Sequence, residues 1–346
     1  MLKNKLILST ILIIATAICV SAQTKTFGGY ISGIPVKISL VREGEKLSGT
    51  YFYTRIGTKL NLNGTIDAEG NFKLKETDAA GKTTGGFTGK WTEEANDNGA
   101  QLEGEWRKTS SSESLGFVAN EQVIEFTNGK FSSKNFAEKN KLKKFEISVD
   151  YPVISGVNVA SATKFNELAK VRSISSVAEF RKAMMAQTAT DVKNFPSGMT
   201  NTLDVSYSVE WATDDFVSIS FMTSEFTGGA HGNYYTSALN FDLKTGKEIK
   251  LADLFEPNSA YLKKISDYSI ADLKTRLGEM SDDEWITNGA GNNAENYESW
   301  FLTKKGLMIT FNPYQVAAYA AGMQTVIIPY SELSEILRKQ MVIKSI

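Results

Sequence analysis

One five-residue pattern recurs four times: Leu47-Ser48-Gly49-Thr50-Tyr51, Leu62-Asn63-Gly64-Thr65-Ile66, Phe87-Thr88-Gly89-Lys90-Trp91 and Leu102-Glu103-Gly104-Glu105-Trp106. In each, an apolar residue, a glycine and a large residue stand two positions apart. In a strand that spacing puts all three on one face, because successive side chains alternate. Glycine weakens a strand interior unless a bend or a close backbone approach needs its missing side chain. Turn signals separate the repeats, at Asp67-Ala68-Glu69-Gly70-Asn71, Ala80-Gly81-Lys82 and Asp97-Asn98-Gly99. Residues 24–112 are therefore predicted to form an all-β meander domain, a small barrel or sandwich filled by its own side chains.

The chain opens MLKNKLILSTILIIATAICVSAQ. Lys3 and Lys5 precede a mostly apolar run from Leu6 to Ala17, and Val20-Ser21-Ala22 offers the small residues a signal peptidase reads. The run falls short of the roughly 20 apolar residues a spanning helix needs. Residues 1–22 are read as a signal peptide, leaving an exported protein, periplasmic or secreted, with no transmembrane anchor after cleavage. Cys19 follows the bulky Ile18 instead of a small residue, which argues against a lipoprotein. It is the chain's single cysteine, so cleavage would remove disulfides, thiol catalysis and cysteine-based metal sites together. The 38 lysines and arginines nearly balance the 39 aspartates and glutamates. No basic face is evident, and nothing points to nucleic acid.

Residues 113–144 are expected to be a linker with one strand, Gln122 to Phe126, and a solvated lysine-rich run from Lys134 to Lys144. Residues 145–346 mix periods. Phe165, Leu168, Val171, Phe180 and Met184 fall near helical spacing, which predicts one or two helices ending before Phe195-Pro196. Leu203 to Trp211 and Val217 to Phe221 alternate as strands around Thr213-Asp214-Asp215, each with one packed and one wet face. A hairpin follows around Lys244-Thr245-Gly246, then a helix capped by Asn258, a polar loop from Ser281 to Ser299, strands Leu307–Phe311 and Thr325–Ile328, and a closing helix from Ser331. The class is α+β, an antiparallel sheet packed by helices.

The order of motifs in this half is specific: Gly228-Gly229-Ala230-His231, then Phe241-Asp242-Leu243 with Thr245-Gly246, then Tyr314 and Gly322 ahead of the final strand. It resembles the extracytoplasmic domain shared by the lysozyme-sensing anti-sigma factor RsiV and the PdaC-type peptidoglycan deacetylases, over about residues 145–340. The resemblance implies an extracytoplasmic α+β domain and a partner outside the cytoplasm, a protein or cell-wall component, with a lysozyme as the sharpest candidate. The deacetylases' catalytic domain, with its metal-binding histidines, has no counterpart in these residues, and the glycine-rich barrel lies outside the match.

His231 is the only histidine. A protein zinc site takes three or four histidine, cysteine or carboxylate ligands, so no metal or other cofactor is expected. No Gly-x-Ser-x-Gly elbow accompanies the histidine, and no catalytic residues are assigned. Gly228, Gly229 and Gly232 are expected to permit positive φ around it, letting the ring tuck against the sheet and bond a backbone carbonyl. Gly246 and Tyr314 are read as structural. His231, Tyr234, Tyr235 and Trp285 are the candidate binding residues, since tyrosine and tryptophan dominate interface energetics. Asp214-Asp215 and Asp282-Asp283-Glu284 suit a turn and a helix start. The spacing from Asp282 to Asn293 does not match an EF-hand calcium loop. The leading expectation is a non-enzymatic envelope binding protein. The alternative is a glycan or peptidoglycan hydrolase using carboxylates and His231, which would need two carboxyls about 5 to 10 Å apart.

Overall fold

In the computed structural model, which describes residues 24–54, 56–93, 99–278 and 282–338, the glycine repeats line a closed barrel. The segment read as a signal peptide lies outside the described residues. The barrel strands are β1 (Thr24–Ile31), β2 (Ile34–Glu43), β3 (Lys46–Tyr53), β4 (Leu60–Ile66), β5 (Asn71–Thr77), β6 (Thr83–Thr92), β7 (Gln101–Lys108) and β8 (Ser114–Glu121). Each pairs antiparallel with the next, and β8 closes on β1. The inward glycines sit where neighbouring backbones crowd. A Cβ on Gly49 would lie 1.9 Å from the Ser39 carbonyl oxygen, one on Gly64 1.8 Å from that of Lys73, and one on Gly89 2.1 Å from that of Glu103. No side chain fits there, and that tightness is what lets so small a barrel close.

Side chains fill the barrel. Tyr51, Phe87 and Phe117 meet edge to face at about 5 Å, and Leu40, Leu62, Ile66 and Leu102 complete the interior. One charge is buried with them. The Glu76 carboxylate accepts from Tyr51 Oη at 2.6 Å, Trp106 Nε1 at 2.6 Å and Thr84 Oγ1 at 2.5 Å. Burial first, and then the neighbouring Glu76, drive the Tyr51 phenol far above its ordinary range, so it stays a donor.

The barrel ends at Glu121, beyond the boundary expected at residue 112. Thr109 to Ser112 is a turn inside the barrel, and what was expected to be linker splits between two sheets. The strand expected over Gln122–Phe126 shrinks to β9 (Ile124–Glu125). The lysine-rich run belongs to an edge strand, β10 (Lys130–Asn140), paired along its whole length with β11 (Phe145–Ser155). Lysines on an edge strand discourage further strand pairing.

Three helices follow instead of one or two: α1 (Val159–Ile174), α2 (Val177–Ala186) and α3 (Ala189–Asn194). They cross back so that β12 (Asn201–Thr213) runs parallel to β11. β13 (Phe216–Phe226), β14 (Asn233–Asp242) and β15 (Lys247–Glu248) extend the sheet by antiparallel pairing, and β9 lies parallel to the end of β12. Then come α4 (Tyr261–Leu277), α5 (Asp283–Gly289) within the expected polar loop, and a second sheet of β16 (Trp300–Leu302), β17 (Gly306–Phe311) and β18 (Gln324–Pro329), ending in one turn, α6 (Tyr330–Leu333). Asn258 does not cap α4; it takes φ +64° in the preceding turn, and Ala260 stands at the cap.

β12 and β13 are covered on both faces, not one. Val209, Ile219 and Phe221 pack under Phe165 and Ala169 of α1, while Trp211 and Phe216 join the core of the second sheet and α4. The register shifts between Val209 and Trp211, so the bulge sends Trp211 to the face opposite Val209. The two sheets are stitched by buried polar groups. Ser218 Oγ donates to Asn240 Oδ1 at 2.6 Å and accepts from Leu302 N at 3.0 Å, and Asn240 Nδ2 donates to the Trp300 carbonyl at 2.8 Å. Among the described residues no helix is long and apolar enough to cross a membrane.

Candidate binding site

The loop between β13 and β14 turns back on two glycines, Gly228 at φ +99° and Gly229 at φ +93°. Gly232 serves differently from its expected positive φ: a Cβ there would lie 2.9 Å from the Glu225 carbonyl oxygen, so the position needs a bare backbone. His231 projects between them. Its ring is exposed, not tucked against the sheet as the sequence suggested. Nδ1 lies 2.9 Å from the Gly232 carbonyl oxygen, and the imidazole stacks on Tyr319 with centroids 3.8 Å apart and planes 17° from parallel. The tuck fails because Tyr319 supplies a ring face above the sheet.

Tyr319 is the hub. It sits on a single turn, residues 319–321, ended by Gly322 at φ +69°. Its hydroxyl donates to the same Gly232 carbonyl at 2.5 Å. Tyr234 meets its edge at 5.7 Å, and the exposed Tyr314 lies 5.5 Å away. Tyr314 takes φ +68°, an uncommon backbone for a bulky residue, and its carbonyl accepts from Trp285 Nε1 at 2.9 Å. Burial, followed by the neighbouring Tyr234 and Tyr314, raises the Tyr319 phenol above its usual value, keeping it a donor.

The loop that carries these rings is held to the sheet. Asn312 Oδ1 accepts from Thr236 N at 2.7 Å, and Asn312 Nδ2 donates to the Thr236 carbonyl at 3.2 Å. Gln315 Nε2 donates to the carbonyls of Gly289 and Asn296 at 3.0 and 2.9 Å. The result is a preformed ledge of flat rings edged by hydroxyls.

Of the candidate residues, the structure brings His231 and Tyr234 into the ledge and half-buries Trp285 beneath Tyr314. Tyr235 is exposed but, as the next residue of β14, points to the other face. Gly246, at φ +66°, turns the β14–β15 hairpin against Ser161 of α1. Tyr314, read as structural, is a ledge ring, and Tyr319 was not singled out at all. Its signal was Asn312-Pro313-Tyr314 and Ala318-Tyr319-Ala320, tyrosines set among turn-forming and small residues that cannot cover them. The acidic pairs stand elsewhere. Asp214 accepts from Thr127 N at 3.0 Å, Asp215 pairs with Lys244 at 2.8 Å, Asp282 caps α5 at Trp285 N (2.6 Å), and Asp283 pairs with Lys274 at 2.7 Å. Among the described residues no three His, Cys, Asp or Glu side chains converge to hold a metal.

Comparison with known proteins places two family models on this half. "Deacetylase PdaC" matches residues 138–234, and "Protein of unknown function (DUF3298)" matches residues 252–331. The peptidoglycan-N-acetylmuramic acid deacetylase PdaC of Bacillus subtilis (strain 168) is 28% identical over 206 residues, which is 60% of this chain and 42% of that protein. A DUF3298-family structure from Bacteroides fragilis aligns with TM-score 0.48 and 22% identity, over 62% of this chain and 96% of that one. Another from Pseudomonas aeruginosa PAO1 aligns at 0.45 and 16%, over 61% and 94%. The α+β half thus carries a shared PdaC/DUF3298-type domain. Its two matched segments meet at the ledge: His231 and Tyr234 close the first, Trp285, Tyr314 and Tyr319 lie in the second.

Proposed function

We propose that this is a non-enzymatic binding protein of the cell envelope, exported to the periplasm or beyond, whose aromatic ledge takes a peptidoglycan glycan. One observation carries the reading: half-buried Tyr319, fixed by its hydrogen bond to the Gly232 carbonyl, holds the exposed His231 ring stacked on it at 3.8 Å, with Tyr234 and the exposed Tyr314 beside it. A sugar ring offers apolar C–H faces and hydroxyl edges. Flat rings with hydroxyl tips are complementary to both at low conformational cost. The name of the Bacillus subtilis relative, a deacetylase of peptidoglycan N-acetylmuramic acid, supports an envelope glycan as the ligand class.

Co-sedimentation of the untagged protein with purified peptidoglycan tests this. Wild type should pellet with the wall material, and Tyr319→Ala should lose at least about tenfold in affinity, as central aromatic anchors do. Equal pelleting of both would reject the ledge. A parallel pull-down with c-type lysozyme assigns the ledge to a protein instead if Tyr319→Ala abolishes only that capture.

The relative's deacetylase activity favours a second reading, an envelope hydrolase using His231 with a carboxylate. Release of acetate or soluble fragments from peptidoglycan, lost in His231→Ala, would establish it and displace the first.

A further inference from the structure

The barrel does not merely precede the α+β half; it encloses space against it. Strands β1 and β2, the β12–β13 face of the large sheet, and the second sheet with α4 bound a cavity of about 740 Å³. Small-molecule sites run from about 300 to 1,000 Å³ and favour domain interfaces. Two facing walls differ in chemistry. On the large sheet, Ser206, Ser208 and Ser220 present hydroxyls, with Tyr30 of the barrel 3.3 Å from Ser206 Oγ. On the second sheet, Met308 and Ile327, with Met323 just before β18, present an apolar surface.

The charged residues in the lining are matched inside the protein. Lys37 pairs with Asp150 at 2.8 Å and lies 3.5 Å over the Tyr207 ring, Glu121 pairs with Lys25 at 2.8 Å, and Arg276 pairs with Asp272 at 2.7 Å. Glu210, the remaining carboxylate, accepts from Ser220 Oγ at 2.5 Å. No cation of the lining is left over to neutralise an anion. The Ser208 hydroxyl borders the cavity beside the bare backbone of Gly28, where a Cβ would lie 3.4 Å from Ser208 Oγ.

We propose that this cavity binds a small uncharged polyhydroxylated molecule, one or two sugar rings in size, its hydroxyls toward Ser206, Ser208 and Ser220 and its apolar face on Met308 and Ile327. This site is separate from the ledge and stands whether or not the ledge binds glycan.

Titration calorimetry on the full chain tests it, with N,N′-diacetylchitobiose and cellobiose as uncharged probes and the de-N-acetylated, cationic chitobiose as contrast. The titrations are run in a Tyr319→Ala background, so that ledge binding cannot contribute. At least one uncharged disaccharide should bind saturably there. Ser208→Phe, which fills the cavity, should weaken binding at least about tenfold, and Ser208→Ala, which nearly keeps the volume and removes the hydroxyl, about three- to tenfold. Absence of saturable binding by either uncharged probe, binding of the cationic sugar alone, or undiminished binding in both variants would overturn the assignment. If Ser208→Phe fails to fold, Ser208→Ala decides it.

Discussion

The barrel and the α+β half both cover the apolar face of a sheet, and they do so over different distances along the chain. In the barrel each strand lies beside its sequence neighbour, and only the β1–β8 pair closes across the domain. The rule that shapes it is local, an inward glycine between two inward large residues. In the α+β half, Phe241 of β14 meets Phe165 of α1 at 5.7 Å, and Ser218 of β13 holds Leu302 of β16. Those contacts join segments that share no repeat. A locally specified domain should fail wherever its rule is broken. A domain assembled from distant pieces should tolerate changes at its rim, and its rim is where the ledge stands.

Four substitutions sharpen that contrast, in order of expected effect. Gly64→Val places a side chain where even a Cβ meets the Lys73 carbonyl oxygen at 1.8 Å. It should cost more than about 4 kcal/mol and abolish barrel protection in hydrogen exchange, while α1 and β11–β14 stay protected. Loss of protection in both halves together would show that they unfold as one unit. Phe165→Ala, at a fully buried ring under the large sheet, should cost about 3–5 kcal/mol in denaturant titration, with exchange rising in the α+β half first. Glu76→Leu strands the Tyr51, Trp106 and Thr84 donors at once. About 2–4 kcal/mol should be lost from the barrel alone, and a stable Glu76→Leu barrel would mean that those donors find water. Tyr319→Ala, at the rim, should change stability by less than about 1 kcal/mol while removing ledge binding. A large destabilisation there would make the ring cluster part of the core.

What could be read from residues alone follows the same division. Gly49, Gly64, Gly89 and Gly104 stated the barrel directly, because a period of two with a central glycine has few structural solutions. Its last strand was harder to see. In β8 the inward positions are Leu115, Phe117 and Ala119, with no glycine among them, and the polar turn before it looks like a linker. β10 was hidden by its own lysines, which an edge strand carries without a buried face to betray it. The α+β class and its hairpin were legible from alternation, but the bulge at Glu210, which turns Trp211 to the opposite face, leaves no mark in the spacing. The ledge was half legible. His231 and Tyr234 stood out beside their glycines. Their stacking partner Tyr319 lies far along the chain and is held against them by Asn312 bonded to Thr236 and by its own hydroxyl on the Gly232 carbonyl, contacts no sequence period encodes.

His231 offers a direct reporter of the central claim, since a chain with one histidine gives one imidazole signal. NMR of the untagged protein, titrated with soluble muropeptides, would follow that ring alone. Our reading requires its resonances to shift in a saturable way, with the same dissociation constant as bulk binding, and to lose the response in Tyr319→Ala. Muropeptide binding that leaves the imidazole signal unmoved would contradict it.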